Sequence, residues 1–311
     1  FGEAGFAFGL GGVRAGVGAP HGGLVRRCGR MSGRGVVVEL CALMSAVECA
    51  GLVKVFGATR AVDGVDLSIP VGSFYGIAGP NGAGKTTAIR MITGLLQPDE
   101  GSAVVDGVPV WPDPTAAKGR LGFVPDNPAL FDRLSGAEML EYAGLLRGMD
   151  PEVIAARSEE LLRILDLSGA SDKVIADYSL GMTKRIGLAV ALLHSPRVLV
   201  LDEPFGSLDP VNTQVMEEML QRYRAGGGTV VFSSHVMDVV ERLCDRVVVI
   251  EAGRVVAEGT VADVRACAAS RTGEALRGDL LPPAASKREP SGWLRIEDLQ
   301  WHDERLTEVR G

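Results

Sequence analysis

The sequence of 311 residues predicts an α/β fold whose central sheet is mostly parallel. A Gly-rich loop, "GPNGAGKTT", stands between an apolar run, "FYGIAG", and a segment with helical periodicity. Two later apolar runs, Val198 to Leu201 and Thr229 to Phe232, end in polar or charged residues. Such runs are typical of parallel strands buried on both faces, and ligands bind beyond the carboxyl ends of those strands.

The composition limits the class of protein. Hydrophobic residues make up 46% of the chain and charged residues 23%, as in an ordinary globular protein. A net charge of −7 argues against a protein that binds nucleic acid through bulk charge. The five cysteines include no CxxC pair, which favours reduced thiols over disulfides or a metal site. No stretch reaches the roughly eighteen consecutive apolar residues of a membrane span, so we expect that the chain does not cross a membrane by itself.

The two ends of the chain differ from its middle. Residues 1–44 are Gly-rich without clear periodicity, and we expect them to be disordered or upstream of the natural start, with no signal peptide. The stretch "RGDLLPPAASKREPSGW" has the composition of a linker, and "LRIEDLQWHDERLTEVRG" after it forms a short strand and helix or is disordered. We therefore predict one folded domain at residues 45–268 and a C-terminal linker and tail of unknown function at residues 269–311.

The Gly-rich loop fits the pattern G-x-x-x-x-G-K-T, with Gly79, Gly84, Lys85 and Thr86. Its glycines allow the backbone N–H groups to surround phosphates, and the next helix presents its positive end. Lys85 supplies a point charge, and the Thr86 hydroxyl can bind Mg²⁺. A Gly-rich turn without function is the disfavoured alternative. The predicted helix that follows presents Ile89, Ile92, Leu95 and Leu96.

Acidic residues and a histidine follow the other two apolar runs. Asp202 and Glu203 come directly after the first run, where Asp202 would reach Mg²⁺ and Glu203 would accept a proton from, or orient, an attacking water. His235 comes after the second run and its serines, where it would donate a hydrogen bond to the γ phosphate or hold the water. A lone histidine is more often structural, but the neighbouring Asp202 strand favours a role in the site.

A second predicted anion site is the stretch "YSLGMTKR", from Tyr178 to Arg185. Ser179 would cap a helix that begins near Gly181 and offer its hydroxyl to a phosphate, while Gly181 allows close backbone approach. A plain helix cap is the alternative for this segment alone. Between the two anion sites, the sequence predicts a helix that begins near Ser135 and a second amphipathic helix in "PEVIAARSEELLRILDL".

Together these motifs resemble the nucleotide-binding domain of ATP-binding-cassette (ABC) transporters, in the family's order from about Val47 to Arg265. The resemblance implies a P-loop NTPase ABC cassette, with a mostly parallel RecA-like core and an N-terminal antiparallel β part. A helical subdomain would be inserted at about residues 128–190. It also implies ATP hydrolysis with Glu203 and His235 as catalytic residues. The turn "GFVPDNPALFDRLSG" is most similar to cassettes of the ABC-2 exporter class.

The resemblance implies ATP and Mg²⁺ as cofactors. The nucleotide-contacting residues would be Phe56, which stacks on adenine, the loop residues Gly79, Pro80, Asn81, Gly82, Ala83, Gly84, Lys85, Thr86 and Thr87, and also Asp126, Ser179, Gly181 and Asp209. The metal ligands would be Thr86, Asp202 and Asp126.

Two positions depart from the family pattern. Of the usual Leu-Ser-Gly-Gly-Gln signature, only Ser179 and Gly181 are present in "YSLGM". Asp126 replaces the Gln that the family usually has after the strand "LGFVP". Two interpretations of Asp126 stay open. It contacts the metal shell, or it caps the turn before Pro128 while Asn127 or a water takes the role of the Gln.

In the family, the signature faces ATP held by the opposite subunit, so two chains enclose two ATP molecules head to tail. The implied partners are a second copy or a related cassette and a separately encoded integral membrane permease, at the cytoplasmic face of the membrane. No nucleic acid partner is expected. One alternative is a soluble ABC ATPase that acts on ribosomes or DNA. Three features argue against it: the chain has a single cassette, it has no room for a coiled coil, and its net charge is acidic. Another is an ATP-binding regulator without turnover, which conflicts with Glu203 and His235.

Overall fold

The computed structural model describes residues 45–266 and two three-residue strands near the end of the chain. The strands, in chain order, are β1 (Ser45–Phe56), β2 (Thr59–Pro70), β3 (Phe74–Ala78), β4 (Glu100–Val105), β5 (Val108–Pro109), β6 (Leu121–Val124), β7 (Val198–Leu201), β8 (Thr229–Ser234), β9 (Arg246–Glu251), β10 (Arg254–Gly259), β11 (Leu299–Trp301) and β12 (Glu304–Leu306). The helices are α1 (Lys85–Ile92), α2 (Thr115–Lys118), α3 (Gly136–Leu146), α4 (Pro151–Ile164), α5 (Leu180–Leu192), α6 (Pro210–Ala225), α7 (Met237–Leu243) and α8 (Val261–Ala266), with 3₁₀ turns at Ser168–Ala170 and Ile175–Asp177. The prediction for residues 1–44 and the predicted linker lie outside the described residues.

The central sheet has the order β10-β9-β3-β8-β7-β6 and is parallel except for β10, which pairs antiparallel with β9. Every residue of β3, β7 and β8 is buried. Successive side chains of β3 point to opposite faces, so Phe74 joins one hydrophobic core and Tyr75 the other. The carboxyl ends of the parallel strands meet at one edge of the sheet. The predicted mostly parallel α/β fold is confirmed.

A second sheet, with the order β2-β1-β4-β5, is antiparallel throughout. Its inner face packs with α1 and one face of the central sheet in a shared core that includes Leu52, Ile69, Ile89 and Val248. This is the antiparallel N-terminal part that the sequence led us to expect. It supports the loop between β3 and α1 from one side.

Helices α3, α4 and α5 lie in the chain between β6 and β7. Ser135 begins α3 with a capping box: its side chain accepts from Glu138 N, and the Glu138 side chain accepts from Ser135 N. Gly144 allows α3 to approach α4 closely, because a Cβ atom there would lie 2.5 Å from the Ile154 side chain. These helices add a compact layer at the β6 side of the central sheet.

Three boundaries differ from the predictions. Helix α1 ends at Ile92 and does not extend to Leu95 and Leu96, because Gly94 adopts φ +71° directly after Thr93. Strand β8 continues to Ser234, two residues beyond the predicted end at Phe232. In the tail, β11 and β12 pair antiparallel, whereas one of the two expectations was a strand followed by a helix.

Within residues 45–266, no helix is long and apolar enough to cross a membrane.

Candidate nucleotide site at the carboxyl ends of the parallel strands

The loop between β3 and α1 has a backbone that requires glycine. Gly79, Gly82 and Gly84 have φ values of +148°, +78° and +104°. A Cβ atom would lie 2.1 Å from Ile250 O at Gly79 and 2.3 Å from Ala61 O at Gly84, so side chains are excluded by backbone on both sides. Helix α1 begins after Gly84 without a side-chain cap, which leaves its first N–H groups for a ligand.

The loop is anchored to both sheets. Gly253, in the turn between β9 and β10, donates its N–H to Ala83 O at 2.9 Å and accepts from Asp63 N at 2.9 Å. Asp63 belongs to β2 of the antiparallel sheet. At the tip of the loop, Pro80, Asn81 and Gly82 are exposed, while Thr86 and Thr87 in the first turn of α1 are half-buried.

Lys85 places its ammonium inside the mouth of the loop. Its Nζ donates to Gly79 O at 2.8 Å and to Pro80 O at 3.2 Å. The same Nζ lies 3.5 Å from Glu203 Oε1, and the side chain is buried. A buried cation next to a helix start without a side-chain cap suits phosphate oxygens, and phosphate binding at this loop stays a prediction.

Asp202 stands at the end of β7 and is held by two hydroxyl groups. Thr86 Oγ1 donates to Asp202 Oδ1 at 3.2 Å, and Ser233 Oγ donates to the same oxygen at 2.6 Å. Ser233 Oγ also accepts from Glu203 N at 2.9 Å. Ser233 therefore fixes both acidic positions from the neighbouring strand, a role that the sequence analysis missed. A small hydroxyl residue at the end of an apolar strand was the available signal.

The Glu203 carboxylate lies between the positively charged Lys85 and the hydrogen-bonding ring of His235. Its Oε1 faces Lys85, and its Oε2 lies 2.9 Å from His235 Nδ1. The backbone of Glu203 has φ +46°, a conformation that costs a non-glycine residue of order 1 kcal/mol and is common at functional sites. The structure thus brings the loop, both acidic residues and His235 together at one edge of the sheet.

The family that is described as ABC transporter matches residues 62–206. The daunorubicin/doxorubicin resistance ATP-binding protein DrrA of Streptomyces peucetius is 39% identical over 220 residues, which are 71% of this chain and 67% of that protein. The chain belongs to the ATP-binding proteins of ABC transporters. The Nod factor export ATP-binding protein I of Burkholderia lata is 38% identical, over 70% of this chain and 71% of that protein.

Solved structures of ABC cassettes share the fold. An ATP-binding subunit of an ABC transporter superposes with a TM-score of 0.67 and 29% identity, over 75% of this chain and 95% of that one. A dimeric cassette in a post-hydrolysis state, bound to ADP and Pi, superposes with a TM-score of 0.64 and 25% identity, over 69% of this chain and 98% of that one. The recognised family and the P-loop ABC fold are confirmed, and the chain is an ABC ATPase.

In this ABC ATPase, Ser179 and Gly181 at the start of α5 form a separate group with Asp209, and Asn212 contacts both the Gly181 position and Asp209. Ser179 is the N-cap of α5 and accepts from Met182 N at 3.3 Å, which leaves its O–H for another acceptor. A Cβ atom at Gly181 would lie 2.4 Å from the Asn212 side chain. Asp209 caps α6, and the backbone N–H of Asn212 lowers the pKa of its carboxyl group.

Phe56 lies at the end of β1 with half of its surface exposed. Lys54 Nζ is 5.9 Å from the centre of its ring. An exposed ring of this kind offers a flat apolar face on which an adenine base can stack.

Asp126 of this ABC ATPase meets a lysine that the sequence analysis did not consider. Asp126 Oδ1 lies 3.3 Å from Lys184 Nζ, and Oδ2 accepts from Asn127 Nδ2 at 3.2 Å. Neither interpretation of Asp126, as a metal-shell residue or as a turn cap, included this ion pair. The signal was Lys184, which stands next to Arg185 at the start of the apolar helix segment "IGLAVALL". Contact of Asp126 with a metal stays a prediction.

Proposed function

We propose that this chain is the ATP-hydrolysing subunit of an ABC exporter. It binds ATP-Mg²⁺ at the interface of two cassettes and drives export through a separate transmembrane subunit. The position of the Glu203 carboxylate, between Lys85 of the phosphate loop and His235, is the observation that supports hydrolysis most directly. The names of the relatives, for drug resistance and Nod factor export, support export. The functional unit would be residues 45–268, with residues 128–190 as its helical part.

Thr86 and Asp202 are the residues that would hold Mg²⁺. Their side chains already lie 3.2 Å apart at the start of α1 and the end of β7. Among the described residues, no group of three or more His, Cys, Asp or Glu side chains is placed to hold a metal ion. This fits Mg²⁺, which usually takes one or two protein oxygens and completes its shell with phosphate oxygens and water. When bound, the ion neutralises charge on the phosphates.

Glu203 is proposed to accept a proton from the attacking water, and His235 to position that water. An ionised carboxylate only accepts hydrogen bonds, so His235 Nδ1 is the donor in the 2.9 Å contact. A neutral ring then has Nε2 as an acceptor, which suits a water hydrogen. Donation from Nε2 to the γ phosphate requires a protonated ring. Of the two roles predicted for His235, holding the water is the one that a neutral ring can perform while Nδ1 donates to Glu203.

The separate group around Ser179 supports a second cassette as partner. Ser179 and Leu180 are exposed, and the first turn of α5 contains no acidic residue, so this helix end attracts an anion. A phosphate bound there would come from ATP on another copy of the chain or on a related cassette. We propose that Ser179, Gly181 and Asp209 complete the partner's site in this way.

The turn after Asp126 is the proposed contact with the permease. Phe131 is 53% exposed and packs edge-on against the exposed ring of Tyr142, with ring centres 5.1 Å apart. Paired exposed aromatic rings are typical of protein interfaces. This part of the chain would place the ABC ATPase at the cytoplasmic face of the membrane.

Purification from membranes tests this function. If the proposal is right, the full chain co-purifies with one integral membrane protein and is released by Phe131→Ser, whereas Val71→Ser, an exposed apolar control in the turn between β2 and β3, has no effect. A chain that is free of membranes and sediments with ribosomes would instead establish the alternative, a soluble ABC ATPase.

A further inference from the structure

Lys184 is a buried lysine whose three ammonium hydrogens are matched by three acceptors. Its side chain is 4% exposed. Nζ donates to Gly206 O at 2.9 Å, to Glu203 O at 3.1 Å and to Asp126 Oδ1 at 3.3 Å. Burial of an ammonium group is expensive unless it is both paired and hydrogen-bonded, and here both conditions are met. The surroundings of Lys184 therefore satisfy both the charge and the hydrogen-bond donors of its ammonium group.

Two of the three acceptors are backbone carbonyls of the turn that contains Glu203. This turn is closed by a hydrogen bond from Gly206 N to Glu203 O at 3.2 Å. Both Glu203 and Ser207 have positive φ, at +46° and +59°. Non-glycine residues keep such conformations only where surrounding contacts hold them. Lys184 supplies those contacts from α5.

The third acceptor, Asp126, provides the negative charge. Its side chain is 51% exposed and lies after β6, at the start of the turn that leads to Phe131. A Cβ atom built at Gly206 would lie 3.9 Å from both Asp126 Oδ1 and Lys184 Nζ, so the three residues are in immediate contact. Without Asp126, the ammonium would keep only neutral partners among these three acceptors. The charge of Asp126 therefore stabilises the position of the Lys184 ammonium group against the turn.

We propose that Lys184 is a positioning residue for ATP hydrolysis. It fixes the backbone at Glu203 and Gly206 so that the Glu203 carboxylate faces Lys85 and His235, and Asp126 is the counterion that keeps it in place. This inference rests on the proposed role of Glu203. It assigns Asp126 a function that acts through Lys184 and that requires no contact with the metal.

The test is a double-mutant cycle on the full chain, with Lys184→Gln, Asp126→Asn and the double variant. ATP affinity, kcat per ATP-binding site and the thermal midpoint are measured for each. Misplacement of a reacting group by about 1 Å can reduce a rate by about a hundredfold, so we expect Lys184→Gln to lower kcat by about ten- to a hundredfold. ATP affinity should change by less than about threefold, because the phosphate loop is untouched. Asp126→Asn should lower kcat less, and the double variant should be no slower than Lys184→Gln alone.

Two further variants separate positioning from general structure. Lys184→Arg retains a cation and donors and should keep more activity than Lys184→Gln. Arg224→Gln removes the exposed Arg224–Asp245 ion pair of 3.0 Å near the opposite end of β3, and its kcat should equal that of the parent. The inference is overturned if Lys184→Gln turns over within about twofold of the parent rate or if the losses from Asp126→Asn and Lys184→Gln multiply. A Glu203→Gln chain that hydrolyses ATP normally would instead refute the proposed role of Glu203.

Discussion

His235 Nδ1 and Glu203 Oε2 lie 2.9 Å apart, directly beyond the ends of the neighbouring strands β8 and β7. The same carboxylate faces Lys85 through its other oxygen, at 3.5 Å. One side chain thereby connects the phosphate loop to the end of β8. The contact is possible because β7 and β8 pair in parallel register, with Leu201 opposite Phe232.

Glu203→Gln should retain ATP binding and lose turnover. The amide keeps the shape of the side chain but is a poor proton acceptor, and general-base catalysis contributes about 10²- to 10⁴-fold to a rate. We expect kcat to fall by that factor and an ATP-bound dimer to accumulate in size-exclusion chromatography. Glu218→Gln, an exposed change on α6, is the control that should behave as the parent. Hydrolysis by Glu203→Gln at the parent rate would contradict the assignment.

Lys85→Ala should weaken nucleotide binding strongly. The variant removes the buried cation at the mouth of the loop, and hydrogen bonds to charged groups contribute about 1.5–3 kcal/mol, which corresponds to roughly a ten- to hundredfold weaker Kd. Equilibrium binding of a fluorescent ATP analogue measures this. Lys173→Ala, an exposed change next to the 3₁₀ turns, should leave the Kd unchanged. If the Kd of Lys85→Ala equals that of the parent, the phosphates of ATP do not bind at this loop.

Defects at Ser179 should act on the partner's site. A Ser179→Arg chain has an intact phosphate loop and should bind ATP, but its homodimer should hydrolyse slowly because an arginine blocks the N-terminus of α5. A mixture with Lys85→Ala chains should recover part of the activity, since one site of the heterodimer then has both intact halves. The measurement is the ATPase rate against mixing ratio, with heterodimers detected by differently tagged chains. Heterodimers that form without any recovery would count against the shared site.

The stability of the protein should fall in acid because of His194. Burial, together with nearby Arg147 and Arg157, lowers the pKa of His194 to about 4, although its hydrogen bond to Leu121 O at 3.0 Å opposes the shift. Between about pH 6.5 and pH 4, the unfolded chain binds a proton that the native protein does not, so the free energy of unfolding decreases as the pH falls, by about 3 kcal/mol at most. Urea unfolding at several pH values measures the slope.

His194→Gln is the matched variant for this prediction. Its amide can still donate to Leu121 O but does not titrate. The free energy of unfolding of the variant should depend less on pH in the same range. An equal slope in both proteins would show that other groups dominate the acid sensitivity.

Local patterns were sufficient for the phosphate loop and the buried strands. Each is defined by residues close in sequence, such as the glycines before Lys85 or the apolar run before Asp202. The end of α1 was wrong because two apolar residues continued the helical period past Thr93 and Gly94. In the structure, Leu95 N and Leu96 N both donate to Arg90 O, at 2.9 Å and 3.0 Å, and these bonds terminate the helix.

Contacts between distant segments were not predictable in the same way. Ser233 reaches Asp202 because β7 and β8 are neighbours, a pairing that no short pattern specifies. Lys184 collects its partners from positions 58, 19 and 22 residues away. A lysine in an apolar helix indicates a buried partner, but its identity depends on the tertiary packing.

The anchoring of the phosphate loop through Gly253 has a consequence for cooperativity. Because Gly253 bonds to Ala83 of the loop and to Asp63 of β2, the loop is part of the joint between the two sheets. A ligand that orders the loop must also order this joint, since the two share the same hydrogen bonds. Amide hydrogen exchange at Asp63 and Gly253 should therefore slow on ATP binding, which makes these two amides reporters of occupancy at the site.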